Sequence, residues 1–201
     1  MTFLEAINIV LRGVGEGRIQ STSSTHPSVD IAKDLLKESQ ELILSTGLWF
    51  NLEYSVTIPL NVLGQAILPY NTISITSKHP NTGLRLKVDT LYDPRANTDD
   101  LSGRGPIVVD YIYNMDFELL PVLAQQAIAY NAAAMFIADD DGDDIKYSRA
   151  EGRVRRAIVA LEVEDMKQKR LNALNAPATA RVRVGMGSGR GLRSGDTIGG
   201  R

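Results

Sequence analysis

The 201 residues include 22 bases, 24 acids, two histidines and no cysteine, and 43% of them are hydrophobic. That size allows one domain with a buried core, and the missing cysteine excludes disulfides, thiolate catalysis, iron–sulfur clusters and cysteine-held zinc. The net charge of −2 hides an asymmetry: residues 176–201 carry five arginines and one acid, Asp196, whereas the first 175 residues carry 17 bases and 23 acids.

The chain opens on a helix expected over 2–12, with Phe3, Ala6, Ile7, Val10 and Leu11 at helical spacing. Thr2 and Glu5 have the capping-box spacing, and Gly13, Gly15 and Gly17 are read as ending the helix. Glu5 and Asn8 interrupt the apolar run and no base precedes it, so it is not a secretory signal. A polar loop over 20–27 leads to a second helix over 28–46. There Val29, Ala32, Leu35, Leu36, Leu42 and Ile43 share a face, Asp30 favours the N-terminal turn, and Gly47 is the expected C′ residue.

The middle of the chain is rich in Val, Ile, Thr and Tyr between turns containing Asn, Pro and Gly. It predicts strands over 53–60, 67–78, 84–91 and 107–113, together a β insertion over 53–113. Alternation of Arg85, Lys87 and Asp89 with Leu84, Leu86 and Val88 suggests one strand with a wet face. Residues 94–106 read as an exposed loop.

Helices return over 120–138 and 145–175. The first contains seven alanines and is apolar nearly all round, so it must be buried on most sides. The second has Tyr147, Ala150, Val154, Ala157, Ile158 and Leu161 on one face, with Glu151–Arg155 and Asp165–Lys169 as favourable i, i+4 pairs. An acidic connection, 139–144, joins the two. The last 17 residues contain seven glycines and cannot pack alone. The expected architecture is α+β. A four-helix bundle of two N-terminal and two C-terminal helices encloses a strand-rich insertion in a domain over 1–175, and a flexible Gly/Arg-rich tail follows over 176–201. No run reaches the roughly 20 apolar residues of a membrane span, so we expect a protein soluble in the cytoplasm when made.

Candidate chemistry is sparse. His26 and His79 each precede a proline and read as surface-loop residues, and no Gly-x-Ser-x-Gly elbow presents a nucleophile. Setting Gly142 as the central glycine of a calcium loop puts Asp139 and Asp141 in ligand positions. The first and last ligand positions would then fall on Ile137 and Ser148, so the cluster is read as a solvated acidic turn. Glu53, beside Trp49 and Tyr54, would be the acid of a carboxylate hydrolase, but nothing else builds a sugar cleft. Neither an enzyme nor a cofactor is expected. The Gly/Arg tail lacks a phosphate-loop ending, and its arginines could grip nucleic-acid backbone or an acidic partner.

A series of short pieces carries a resemblance. The run Ala6-Ile7-Asn8-Ile9-Val10-Leu11-Arg12-Gly13-Val14-Gly15-Glu16 is followed by Gly47-Leu48-Trp49-Phe50-Asn51-Leu52-Glu53. Then come Ile67-Leu68-Pro69, Leu91-Tyr92-Asp93-Pro94 and Asp116-Phe117-Glu118-Leu119-Leu120-Pro121. In order and spacing these resemble the tail tubular protein A family, the head-to-tail adaptors of short-tailed bacteriophages, over about the first 165 residues. The resemblance implies a ring of twelve identical subunits in the virion, assembled in the host cytoplasm. Its partners would be the portal protein, the tail nozzle protein (tail tubular protein B-like) and the genomic DNA passing through the lumen. An acidic body repeated around a ring would repel DNA phosphates. The tail, through Arg181, Arg183, Arg190, Arg193 and Arg201, would clamp the portal. The alternative is a non-specific nucleic-acid-binding protein that uses the same arginines.

Overall fold

The computed structural model describes residues 1–23, 26–140 and 144–174, with the side chains of 170–174 left aside. It is mixed α+β, with four helices and antiparallel sheets. By its internal contacts the chain divides into Met1–Val163, which holds both hydrophobic cores, and Glu164–Arg201.

Helix α1, Phe3–Val14, begins with the expected capping box: Glu5 N–H donates to Thr2 Oγ1 at 3.2 Å, and Thr2 N–H donates to Glu5 Oε2 at 2.8 Å. It passes through Gly13 and stops where Gly15 turns left-handed (φ 87°), so the end lies two residues beyond 12. Helix α2, Pro27–Leu44, starts with proline in its first turn, where the missing N–H is not needed. It ends before residue 46, with Ser45 as the cap; Gly47 follows at φ 71°. A Cβ on Gly47 would lie 2.7 Å from Ile112 Cδ1, so a side chain here would displace Ile112 as well as strain the left-handed backbone.

Helix α3, Val122–Asp140, starts two residues later than expected because Leu120 is extended before Pro121. Its alanines let α1 and α2 pack closely on it, and Ala127, Ile128, Ala129 and Ala132 are fully buried. Burying an Ile or Leu side chain such as Ile128 or Leu36 contributes roughly 1.5–3 kcal/mol. Helix α4, Asp144–Leu174, is different: over residues 144–163 it adds Val154 and Leu161 as buried residues and leaves Ile145, Tyr147, Val159 and Val163 exposed. Ala157 and Ile158 are half-buried against the helical core. Beyond Val163, Lys169 pairs with Asp165 at 2.7 Å, as its spacing predicts. No helix among the described residues is long and apolar enough to cross a membrane.

Polar groups inside the helical core are matched. Ser39 Oγ donates to the Ile128 carbonyl at 3.0 Å and accepts from Asn131 Nδ2 at 3.0 Å. Gln125 Nε2 donates to the Phe117 carbonyl at 2.9 Å. Buried polar atoms without such partners would cost about 1–3 kcal/mol each.

The insertion forms a sheet of order β1–β5–β2: Leu52–Ile58, Ile107–Tyr113 and Thr72–Ser77, all antiparallel. The strand expected over 67–78 shortens to β2 because Pro69, Tyr70 and Asn71 make a turn, leaving Ile67 an isolated bridge to Thr90. The single strand expected over 84–91 is a hairpin instead, β3 (Arg85–Lys87) and β4 (Thr90–Tyr92), reversed at Val88, whose φ is 60°. The expected loop over 94–106 is pinned. Leu101 is fully buried, Ser102–Arg104 form a 3-10 turn, and the Arg104 guanidinium pairs with the buried Asp93 carboxylate. A second core, including Ile58, Leu68, Leu91, Leu101, Ile107 and Val109, fills this region.

Asn51 ties the helical core to the end of the sheet. It is fully buried; its Nδ2 donates to the carbonyls of Leu44 (2.9 Å) and Tyr113 (3.0 Å), and its Oδ1 accepts from Leu48 N–H (2.8 Å). The end of α2, the 48–51 turn and the end of β5 therefore meet on one side chain.

Candidate assembly surfaces

The expected portal-binding residues Arg181, Arg183, Arg190, Arg193 and Arg201 lie outside the described residues. So do Asp141 and Asp143; Asp139 and Asp140 end α3 and Asp144 starts α4, all three exposed. Among the described residues, no three His, Asp or Glu side chains converge as a metal-binding group. His26 stands exposed at the N-cap of α2 and makes no capping bond, and His79 is exposed before Pro80.

Glu53 is exposed on β1, paired in register with Tyr111, rather than set in an apolar pocket. Burial, and then the Glu53 charge, hold the Tyr111 phenol above its ordinary value of 10.0. Tyr113 is raised by the same two causes. Trp49 meets Phe50 edge-on at 4.9 Å instead of framing Glu53. A neighbouring irregularity is clamped: Ser55, at φ 55°, donates its N–H to Asp110 Oδ1 at 2.7 Å, and Lys78 pairs with the same oxygen at 2.9 Å. These contacts hold the sheet's shape.

Large apolar side chains stand in water at three ordered turns of the insertion. Asn61 Oδ1 accepts from the N–H groups of Leu63 and Gln65, both at 2.9 Å, so the turn that exposes Val62 and Leu63 is preformed. Tyr70, 98% exposed, sits in a turn closed by Thr72 N–H on the Pro69 carbonyl at 3.0 Å. Val88, 91% exposed, tips the β3–β4 hairpin. Apolar groups held out on rigid turns are suited to a partner surface, because little ordering is left to occur on contact.

A second surface is basic. A cleft of about 500 Å³ opens between α1, α3 and α4, with Ile9, Ala133 and Ile137 along its floor. Arg12, Lys146, Arg149 and Arg153 line it, and no acid does among the described residues. Positions 146, 149 and 153 fall on one face of α4, since spacings of three and four align on a helix. Among the described residues, Arg12, Arg149 and Arg153 form no ion pair with a carboxylate. The sequence reading missed this grouping, because the three-and-four spacing of cations on α4 looks like an ordinary solvated face until α1 supplies Arg12.

The fold and these surfaces can be set beside known proteins. A family profile described as "Tail tubular protein" matches residues 4–181, a span that runs through the helical core, the sheet and α4. Tail tubular protein A of Klebsiella phage KP34 is 26% identical over 184 residues, covering 91% of this chain and 97% of that protein. By the extent of that match, the chain belongs to the tail tubular protein family.

Proposed function

We propose that the chain is a head-to-tail adaptor subunit. Twelve identical copies close into a ring between the portal protein and the tail nozzle, and genomic DNA passes through the lumen. The observation that carries this reading is the family match over both cores and α4, rather than over one short motif. The role is structural, in the virion tail, with assembly in the host cytoplasm.

Several features support the reading. A ring needs contact surfaces on different sides of each subunit, and the exposed apolar turns and the basic cleft share no residue. The turns at Val62–Leu63, Tyr70 and Val88 suit docking of the nozzle. The acidic excess over residues 1–175, repeated around a ring, keeps the channel from gripping phosphate. Residues 1–175 act as the adaptor domain, in which α4 completes a four-helix bundle. Residues 176–201 act as an arm whose arginines (Arg181, Arg183, Arg190, Arg193, Arg201) clamp the portal.

Negative-stain images of the chain mixed with purified portal rings test the proposal. We expect a second ring attached to the portal; portal rings alone would contradict it. Deleting the residues after Pro177 should weaken that attachment without changing the melting temperature. A gel shift with duplex DNA that falls steeply with salt and vanishes in the same deletion would favour the nucleic-acid reading of the arm instead.

A further inference from the structure

We infer that the basic cleft between α1, α3 and α4 receives the outward face of α2 from a second copy of this chain. This rests on the reading of the chain as a ring subunit and names the contact that would close the ring.

The cleft offers three arginines without a described carboxylate partner, Arg12, Arg149 and Arg153, above an apolar floor that includes Ile9 and Ile137. Its occupant must therefore bring carboxylates and apolar side chains together, at helical or strand spacing. The outward face of α2 does so. Its buried positions, Val29, Ala32, Leu35, Leu36, Ser39 and Ile43, turn towards the core, and the residues left facing water include Ile31, Asp34, Lys37, Glu38, Glu41 and Leu42, three acids to one base. Ile31 is 46% and Leu42 61% exposed, and the three acids lie between them. Residues 31, 34, 38 and 41 or 42 follow a three-and-four spacing, so they make one stripe. Among the described residues, none of Asp34, Glu38 and Glu41 forms an ion pair.

The two surfaces match in charge and in apolar content. Duplex DNA would satisfy the cations alone and leave the apolar floor and the α2 stripe uncovered. They also share no residue: α2 contributes nothing to the cleft. A contact between them is therefore heterologous, joining the front of one copy to the back of the next, and such a contact propagates and closes by rotation. Complementary charge sets the register and speeds encounter, and salt weakens it.

The test uses the full chain assembled on portal rings and read by native mass spectrometry, with circular dichroism confirming that each variant is folded. Variant one carries Arg149→Glu and Arg153→Glu; variant two carries Asp34→Arg and Glu38→Arg. Each alone should lose at least tenfold in ring yield, because like charges then face each other at every contact. Mixed in equal amounts, the two should recover rings of alternating variants, since each reversed cleft then meets a reversed stripe and each native cleft a native one. The neutral Arg149→Gln, Arg153→Gln variant should fall between wild type and variant one, which separates loss of attraction from misfolding.

Wild-type rings with either variant assembling normally would overturn the inference and leave the ring reading intact. So would two defective variants with no rescue on mixing. A wild-type chain that forms no ring on the portal would overturn the ring reading and this contact with it. If variant one keeps its rings but loses binding to a duplex DNA probe that wild type retains, the cleft holds phosphate and the contact between copies is wrong.

Discussion

The helical core and the β insertion solve the same packing problem in opposite ways. In the helical core, α3 is a rod of small residues that lets α1 and α2 approach closely, and inner polar groups such as Ser39, Asn131 and Gln125 are each matched by a partner. Its outer surface, notably on α2 and α4, carries charge. The insertion has a smaller core, around Leu91, Leu101 and Ile107, and turns several of its large apolar side chains outwards on rigid loops. One region holds its shape by close packing, the other by pinned turns. Charged contacts can therefore form along the helices, and apolar ones at the turns of the insertion.

Four substitutions probe this contrast. The largest effect should come from Leu91→Ala, which empties a fully buried site in the small β core and should cost about 2–5 kcal/mol. Chemical denaturation should give that loss, and amide exchange should show it strongest in β4 and β5. Asn51→Ala should come next, at about 3 kcal/mol, because it leaves the buried Leu48 N–H without its acceptor and takes a donor from the Tyr113 and Leu44 carbonyls, of which Leu44 keeps the Gly47 N–H. It should also decouple the two regions, so that thermal unfolding becomes two steps instead of one. Ala132→Leu should cost about 1–3 kcal/mol by forcing α3 away from its neighbours; a neutral result would mean the helical core is loosely packed. Smallest is the double change Val62→Ser with Val88→Ser. It should leave the melting temperature unaltered while weakening binding to the nozzle protein in a pull-down.

Titration separates the regions in a further way. The Tyr111 phenol is raised, so above about pH 10 the unfolded chain ionises before the folded one does. Stability is therefore unaffected by this group below that pH and falls as pH rises past it. Tyr111→Phe should flatten the fall in melting temperature between about pH 9 and 11, whereas an unchanged slope would remove the sheet tyrosines from the account.

Much of the helical region was legible because its signals are local. The Thr2–Glu5 box, the periodic face of α2 and the alanine run of α3 each declare a helix within a few residues. The insertion was harder. A β-branched residue at positive φ, Val88, marks the hairpin where a glycine or asparagine would be expected, so the segment reads as one strand. Gly13 looks like a helix stop but lies inside α1, facing Ala133 and Ile137. Asn51, inside a recognisable motif, gives no hint in sequence of being the buried link between α2 and β5. The basic cleft joins residues more than a hundred positions apart, brought to one opening only by the fold.

Whether copies of the chain form the proposed ring between portal and nozzle is decided by electron microscopy of the head–tail junction in the assembled particle. A closed ring of twelve copies is expected at that position, each with the three-stranded sheet β1–β5–β2 beside the helices α1, α2 and α3. Density for this fold elsewhere in the tail, or a junction occupied by another fold, would contradict it.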